Sequence, residues 1–400
     1  EISACLVGSE MCIRDRRSRA YRWGEDGLLG ICDNHCRLCF SLALWNERDS
    51  ILKERLFGLT GPEGNHGEDV KEHYYYLDST PTHSYLKALY KYPQSAFPYQ
   101  RLLDENRARG KKDLEYELED TGAFHENRYF DVFVDYAKAA PEDLLILVTV
   151  ANRGEAAAPI HVLPQAWFRN TWVWGDSYEA DWGVPTMERL TERSVLCRHA
   201  VLGDYVLTVE PCEALAKPAL LFTENETNTE RLFGEPNATP YVKDAFHRYV
   251  IEGVSGAVNP AAKGTKAAAH ARFDVPALGS VTLKMRLCRR DLATANPFDD
   301  AFDATVLLRR QEADAFYADR MEPALTAPER NIVRQAHAGL QWSKQFYYYD
   351  VRQWLKGDAT QPAPPPGRGL IRNGDWEHLF NRDVVSMPDK WEYPWYAVWD

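Results

Sequence analysis

No stretch of this 400-residue chain approaches the roughly twenty consecutive apolar residues that a membrane-crossing helix needs, which excludes a helical span. The chain does not open with a charged segment followed by an apolar run, as a secretion signal would. Basic charge is short, with 47 Lys and Arg against 59 Asp and Glu, and neither a basic stripe nor a basic tail occurs. A net charge of −12 therefore argues against nucleic acid and against an anionic membrane surface as partners. The glycine-rich loop from Phe57 to Glu72 has no Lys-Ser or Lys-Thr after its glycines, so it is not a phosphate loop. Its Asn65, His66, Glu68 and Asp69 lack a second nearby His, so a hydrogen-bonded loop is expected rather than a metal site. Cysteine is limited to eight residues, three of them in Cys32-Asp-Asn-His-Cys-Arg-Leu-Cys39, and no second cluster follows at zinc-ligand spacing. The alternation from Leu38 to Trp45 reads instead as a strand carrying small buried thiols. Without a secretion signal, reduced thiols and a cytoplasmic setting are expected. No metal site is expected from these residues.

Aromatics, in contrast, are plentiful: 12 Trp, 21 Tyr and 16 Phe without any long apolar run. Such a set suits a sugar-binding cleft or a large β core. From Tyr21 to about Cys288 the pattern is antiparallel β. Gly27–Cys32 and Leu38–Trp45 are short apolar runs around the polar turn Asp33-Asn34-His35. Arg128–Tyr136 alternates, with Phe130, Val132, Val134 and Tyr136 on the expected core face. Asp143–Val150 is almost wholly apolar, so both its faces should be covered. Asn152-Arg-Gly154 makes a turn, and Ile160–Leu163, Val201–Val209, Ala219–Thr223 and Val281–Leu287 continue the strands. This density of strands predicts a large β-sandwich. Tyr74–Tyr85 and Trp167–Trp174 are dense in aromatics and are expected to serve packing rather than a sugar-facing rim. Lys87–Gln94 reads as a short helix or turn stopped by its proline, and Asp104–Glu119 as an exposed loop or helix.

Composition shifts near Arg290. Phe302, Val306, Leu307, Ala313 and Phe316 recur at helical spacing between Asp300 and Asp319. Thr326-Ala-Pro-Glu329 is a capping box with Pro in the first turn, and the helix it opens is expected to carry Ile332, Val333, Ala336, Leu340 and Phe346 towards one face. Gly357–Gly367, with its proline run, is a surface loop. The last twenty residues, Asn381 to Asp400, hold Asp383, Asp389, Glu392 and Asp400 among five aromatic side chains. Aromatic faces stack on sugar rings, and a carboxyl walled by aromatics has its charged form disfavoured, so it can act as an acid near neutrality. That is the chemistry of glycoside cleavage. An aromatic-rich turn packing a helix end fits the same residues.

Met387-Pro-Asp-Lys-Trp-Glu-Tyr-Pro-Trp395, closing on Trp399-Asp400, resembles the signature of glycoside hydrolase family 63, and in particular its bacterial glucosidase-like and mannosylglycerate-hydrolase-like branch. The resemblance runs from Arg17 to Asp400. It implies a multidomain β + α chain: a large antiparallel β-sandwich followed by the first helices of a truncated (α/α)6 barrel. The expected divisions are a β-sandwich at 17–295, a linker helix at 296–325 and the start of the barrel at 326–400. Residues 1–16 resemble a translated sequencing adapter and are expected to be foreign to the fold. The resemblance further implies an inverting exo-glycosidase acting on α-linked glucosides or related oligosaccharides in a bacterial cytoplasm. Asp400, after Trp399, would be the general acid, and the general base would be a Glu beyond residue 400. Trp391, Tyr393, Trp395 and Trp399 are candidates to stack on substrate or wall the site, while Asp389 and Glu392 are expected to be structural. The resemblance implies no organic cofactor. The partner is an oligosaccharide or small glycoside, with no nucleic acid and no membrane. Alternatives are a glucoamylase-, trehalase- or phosphorylase-like enzyme of similar architecture, and a non-catalytic carbohydrate-binding sandwich.

Overall fold

The computed structural model describes residues 27–54, 72–110, 112–174, 183–342, 344–357, 363–370 and 374–386. Among them two large antiparallel sheets face each other. The smaller has five strands: β1 (Leu28–Cys32), β2 (Leu38–Trp45), β7 (Ala158–Phe168), β13 (Lys266–Val275) and β11 (Leu215–Thr223), neighbours in that order. The larger has nine. Its first five are β12 (Lys263–Gly264), β8 (Thr186–Thr191), β9 (Ser194–His199), β10 (Gly203–Val209) and β14 (Ser280–Arg289). It continues through β6 (Asp143–Asn152), β5 (Tyr129–Ala140), β4 (Tyr85–Pro93) and β3 (His73–Ser79), which forms one edge.

Period-two alternation builds the core between them. Phe130, Val132, Val134 and Tyr136 point inward, as their spacing predicts, and all four are fully buried. They meet Leu86, Ala88, Tyr90 and Tyr92 from β4, Ile146, Val148 and Val150 from β6, and Phe40, Leu42, Val162 and Phe168 from the facing sheet. The Tyr136 hydroxyl crosses the gap to donate to the Leu29 carbonyl at 2.5 Å, so even this deep phenol keeps a partner. Gly264 permits the closest approach: a Cβ there would sit 2.2 Å from the Thr223 carbonyl oxygen.

Lys87–Pro93 is neither a helix nor a turn. It belongs to β4, because Leu86, Ala88, Tyr90 and Tyr92 alternate with Lys87 and Lys91, and Pro93 ends the strand. The lysines face outward, where Lys91 pairs with Asp131 at 2.6 Å and Lys87 lies 3.9 Å from Asp135.

Both faces of β6 are covered, as its apolar sequence requires, but the outer cover is helical. The helices are α1 (Tyr99–Ala108), α2 (Thr229–Phe233), α3 (Ala245–Val250), α4 (Asp300–Arg320), α5 (Ala327–Trp342) and α6 (Val351–Lys356). Helix α4 starts at Asp299, whose carboxylate accepts from the Phe302 amide. It lays Phe302, Val306 and Ala313 on Tyr85, Ala137 and Leu145 of the larger sheet. Leu307 points away, half exposed, and Tyr317 rather than Phe316 is the buried aromatic near its end. The segment expected as a linker helix forms α4, which packs on the sandwich. Helix α5 ends at Trp342, and Phe346 lies instead in β15 (Lys344–Asp350), which pairs with β16 (Phe380–Ser386).

Candidate functional site

The described part of the chain leads towards the aromatic and carboxylate stretch through one junction. Strand β3 pairs regularly with β4 up to Tyr76↔Ala88, then shifts by one residue so that Asp78 lies opposite Lys87. Such a bulge re-aims the side chains beyond it. Asp78 is buried and bonds Arg334 of α5 through its Oδ2. The same guanidinium reaches Asp314 of α4 at 2.6 Å and lies 4.9 Å from the centre of the Tyr317 ring. Burial pushes the Asp78 carboxyl above its usual range, Arg334 pulls it down, and the net direction is upward. Trp342 stacks on Tyr76 with ring centres 5.0 Å apart and donates from Nε1 to the Asp78 carbonyl at 3.1 Å. Tyr317 donates to the Ser79 carbonyl at 2.5 Å. Helix α4 adds a second anchor, in which Tyr85 donates to Asp135 and Arg310 contacts both, at 3.2 Å and 3.0 Å.

Two residues after Trp342, β15 begins, and Lys344 is the register partner of Ser386. The backbone that runs into Met387 is therefore held beside the end of α5, where that helix meets the sandwich. Asp400, Trp391, Tyr393, Trp395 and Trp399, with Asp389 and Glu392, lie outside the described residues, as do residues 1–16 and the loop residues Asn65, His66, Glu68 and Asp69.

The two aromatic stretches are packing elements. Tyr74 and Tyr76 lean on the core beneath Trp342. Trp167 is buried with Cys36 and Cys39, Phe168 enters the main core, and Trp172 donates to Glu226 at 2.6 Å while packing against that core. Asn170 joins the same carboxylate at 3.1 Å.

The outer face of the five-stranded sheet carries a row of buried polar groups that sequence patterning did not reveal. Lys266 is fully buried, 3.2 Å from Glu54 and 2.8 Å from the Lys243 carbonyl. Burial pushes the Glu54 carboxyl upward against the pull of Lys266. Further along, His161 Nδ1 contacts His270 Nε2 at 2.8 Å, and His161 Nε2 contacts Glu47 at 3.1 Å. Arg272 bonds the same Glu47 oxygen at 2.7 Å. His161 on β7 and Lys266, His270 and Arg272 on β13 stand at the parity of Leu163 and Ala268, so the register of the two strands brings them together, while Glu47 and Glu54 reach them from the segment after β2. Among the described residues, no group of three or more His, Cys, Asp or Glu is arranged to hold a metal ion, and no helix is long and apolar enough to cross a membrane.

No family model matches the chain. Uncharacterized protein YMR196W of Saccharomyces cerevisiae is 43% identical over 424 aligned residues, which cover 96% of this chain and 38% of that protein. The chain thus spans less than two fifths of the length of the curated relative it matches. Among solved structures, a protein described as a kojibiose phosphorylase from the human microbiome has a TM-score of 0.24 at 9% identity, covering 76% of this chain and 31% of that one. At that level of likeness neither fold nor activity transfers. The architecture is established by the sheets themselves: mostly β, two large antiparallel layers, and a few helices after them. No closed ring of helices occurs among the described residues.

Proposed function

We propose that this chain forms the β-sandwich and the opening of the catalytic part of an inverting, exo-acting glycoside hydrolase of family 63 type, acting on α-linked glucosides or related oligosaccharides. The observation that carries this reading is the motif Met387-to-Trp395 closing on Trp399-Asp400. Its setting supports it: the motif follows directly on β16, which is paired to a strand issuing from a helix docked on a large sandwich. In this reading Asp400 protonates the glycosidic oxygen, and a Glu outside residues 1–400 activates water from the opposite face of the sugar. The two carboxyls would stand roughly 6.5–9.5 Å apart to admit that water. Trp391, Tyr393, Trp395 and Trp399 would stack on the sugar and keep water from the acid, which holds its proton near neutrality.

The reading is tested with the protein extended to its full length. An α-linked glucosyl oligosaccharide is supplied and the first-formed anomer is followed by proton NMR. Inversion gives the β-anomer of glucose first. Release of the α-anomer first, or no release from any α-glucoside, contradicts the reading.

A further inference from the structure

Three of the eight cysteines meet at one end of the β1–β2 hairpin. Cys32 and Cys39 are register partners across it. The Asp33 amide donates to the Leu38 carbonyl at 3.3 Å, which makes residues 33 and 38 a hydrogen-bonded pair. Cys32 and Cys39 therefore form the adjacent non-hydrogen-bonded pair, in which facing side chains stand closest. On the other side of Cys39, its Sγ lies 3.5 Å from the Sγ of Cys36. The loop is held in this shape by Asp33. Its Oδ1 accepts from the Arg37 and Leu38 amides at 2.6 and 2.8 Å, its Oδ2 accepts from His35 at 3.0 Å, and its carbonyl accepts from the Cys36 amide at 2.9 Å. Cys36 adopts a left-handed φ of 52°, a strained conformation for a non-glycine residue that persists only where its surroundings enforce it. Cys36 and Cys39 are buried against Trp167, while Cys32 is exposed. Cys39 is thus a middle sulfur, between Cys32, an exposed residue at the end of the hairpin, and the buried Cys36.

We propose that this cluster is a thiol relay that places a reversible disulfide between Cys36 and Cys39, with Cys32 as the entry thiol. The oxidant is a small-molecule disulfide. The Cys32 thiolate attacks one of its sulfurs, forming a mixed disulfide and releasing one small thiol. Cys39 then attacks the Cys32 sulfur, forming Cys32–Cys39 and releasing the second small thiol. Cys36 attacks Cys39, and Cys32 leaves as a thiol. Two protein thiols have lost two electrons and two protons, and one small disulfide has become two thiols. The neighbouring Cys36 thiol and burial push the Cys32 thiol up, and burial and the neighbouring thiols push the Cys39 thiol up, so each exchange step is slow near neutrality and quickens with rising pH.

The test uses the whole chain incubated with oxidised glutathione, quenched with N-ethylmaleimide and digested with trypsin. Cleavage after Arg37 separates peptide 23–37, with Cys32 and Cys36, from peptide 38–48, with Cys39. At the end point the two peptides should be joined, with the single alkylated cysteine in the joined product at Cys32. Cys36→Ser should stop at Cys32–Cys39. Cys32→Ser should still join the peptides but about tenfold more slowly, because a buried thiol must then attack the small disulfide itself. Peptides that stay separate in the wild type, or an end point in which Cys36 carries the alkyl group, would overturn the proposal.

Discussion

The His161–His270 pair shows how burial and register together set a protonation state. Burial pushes the Glu47 carboxyl up, but its bonds to Arg272 and His161 outweigh that and leave it below its usual range. An ionised Glu47 accepts a hydrogen bond from His161 Nε2–H, so in the neutral ring His161 Nδ1 must accept, and His270 Nε2 donates to it. His270 Nδ1 is then an unprotonated, buried nitrogen without a hydrogen-bond partner. Charging it would place a proton in an apolar setting beside another imidazole, and burial with the neighbouring His161 lowers the His270 pKa to about 4. An unfolded histidine titrates near pH 6.5. Between those values the unfolded chain binds the extra proton, so His270 lowers stability as pH falls, by up to about 1.4 kcal/mol per pH unit. Above about pH 6.5 the effect is absent. His270→Gln keeps an amide donor for His161 and removes the titration. Denaturant midpoints at pH 7.5 and 5 should show wild type losing more stability than the variant over that interval. Equal losses would contradict the tautomer assignment. Nothing in the sequence around either histidine reveals the pair, because residues 109 positions apart become neighbours only through strand register.

Helix α5 shows what local pattern can and cannot give. Its start was legible, since Thr326 donates its amide to Glu329 at 2.7 Å, the backward arm of a capping box. Its buried face was not. Ile332 is 66% exposed and Leu340 is 53% exposed, whereas Arg334, Ala338 and Trp342, one turn apart in succession, face the sandwich. Apolar periodicity assumes an apolar partner, and α5 instead meets a sheet edge whose bulge presents Asp78. The misreading of Lys87–Gln94 has a related cause. A proline that ends an apolar segment suits a helix or turn as well as a strand, and the alternation of Leu86, Ala88, Tyr90 and Tyr92 has the period of a strand. Arg334→Met should destabilise the protein by about 3 kcal/mol, because it strands a buried carboxylate. Asp78, already raised, should then hold its proton to still higher pH. The folded variant would bind more protons than its unfolded state, so its deficit should grow from pH 5 to pH 8. Adding Asp78→Asn should recover part of the loss and remove that pH dependence. Denaturation of the three variants at both pH values checks this, and a deficit independent of pH would mean that Asp78 is not the group left unpaired.

At the scale of the molecule, the sandwich was legible because alternation is written strand by strand and each strand has a covered face. The way it is completed was not. The outer face of β6 is closed by α4, and the outer face of the five-stranded sheet by Leu52, Phe246 and Val258 together with the buried Glu54–Lys266 pair. The candidate catalytic residues were legible as a motif, since large aromatics and carboxylates in that order are rare. Their geometry lies outside the described residues. The proposed role of Asp400 as the acid of a glycosidase is tested most directly by leaving-group dependence. In the full-length protein, Asp400→Asn and Asp389→Asn are each assayed on a glucosyl oligosaccharide and on a glucosyl fluoride, whose departure needs little protonation. Loss of acid catalysis acts only on the leaving-group step, so Asp400→Asn should fall by about 10²–10⁴-fold on the oligosaccharide and far less on the fluoride. Asp389→Asn should depress both substrates together. The reverse pattern, with Asp389→Asn sensitive to the leaving group and Asp400→Asn not, would contradict the assignment.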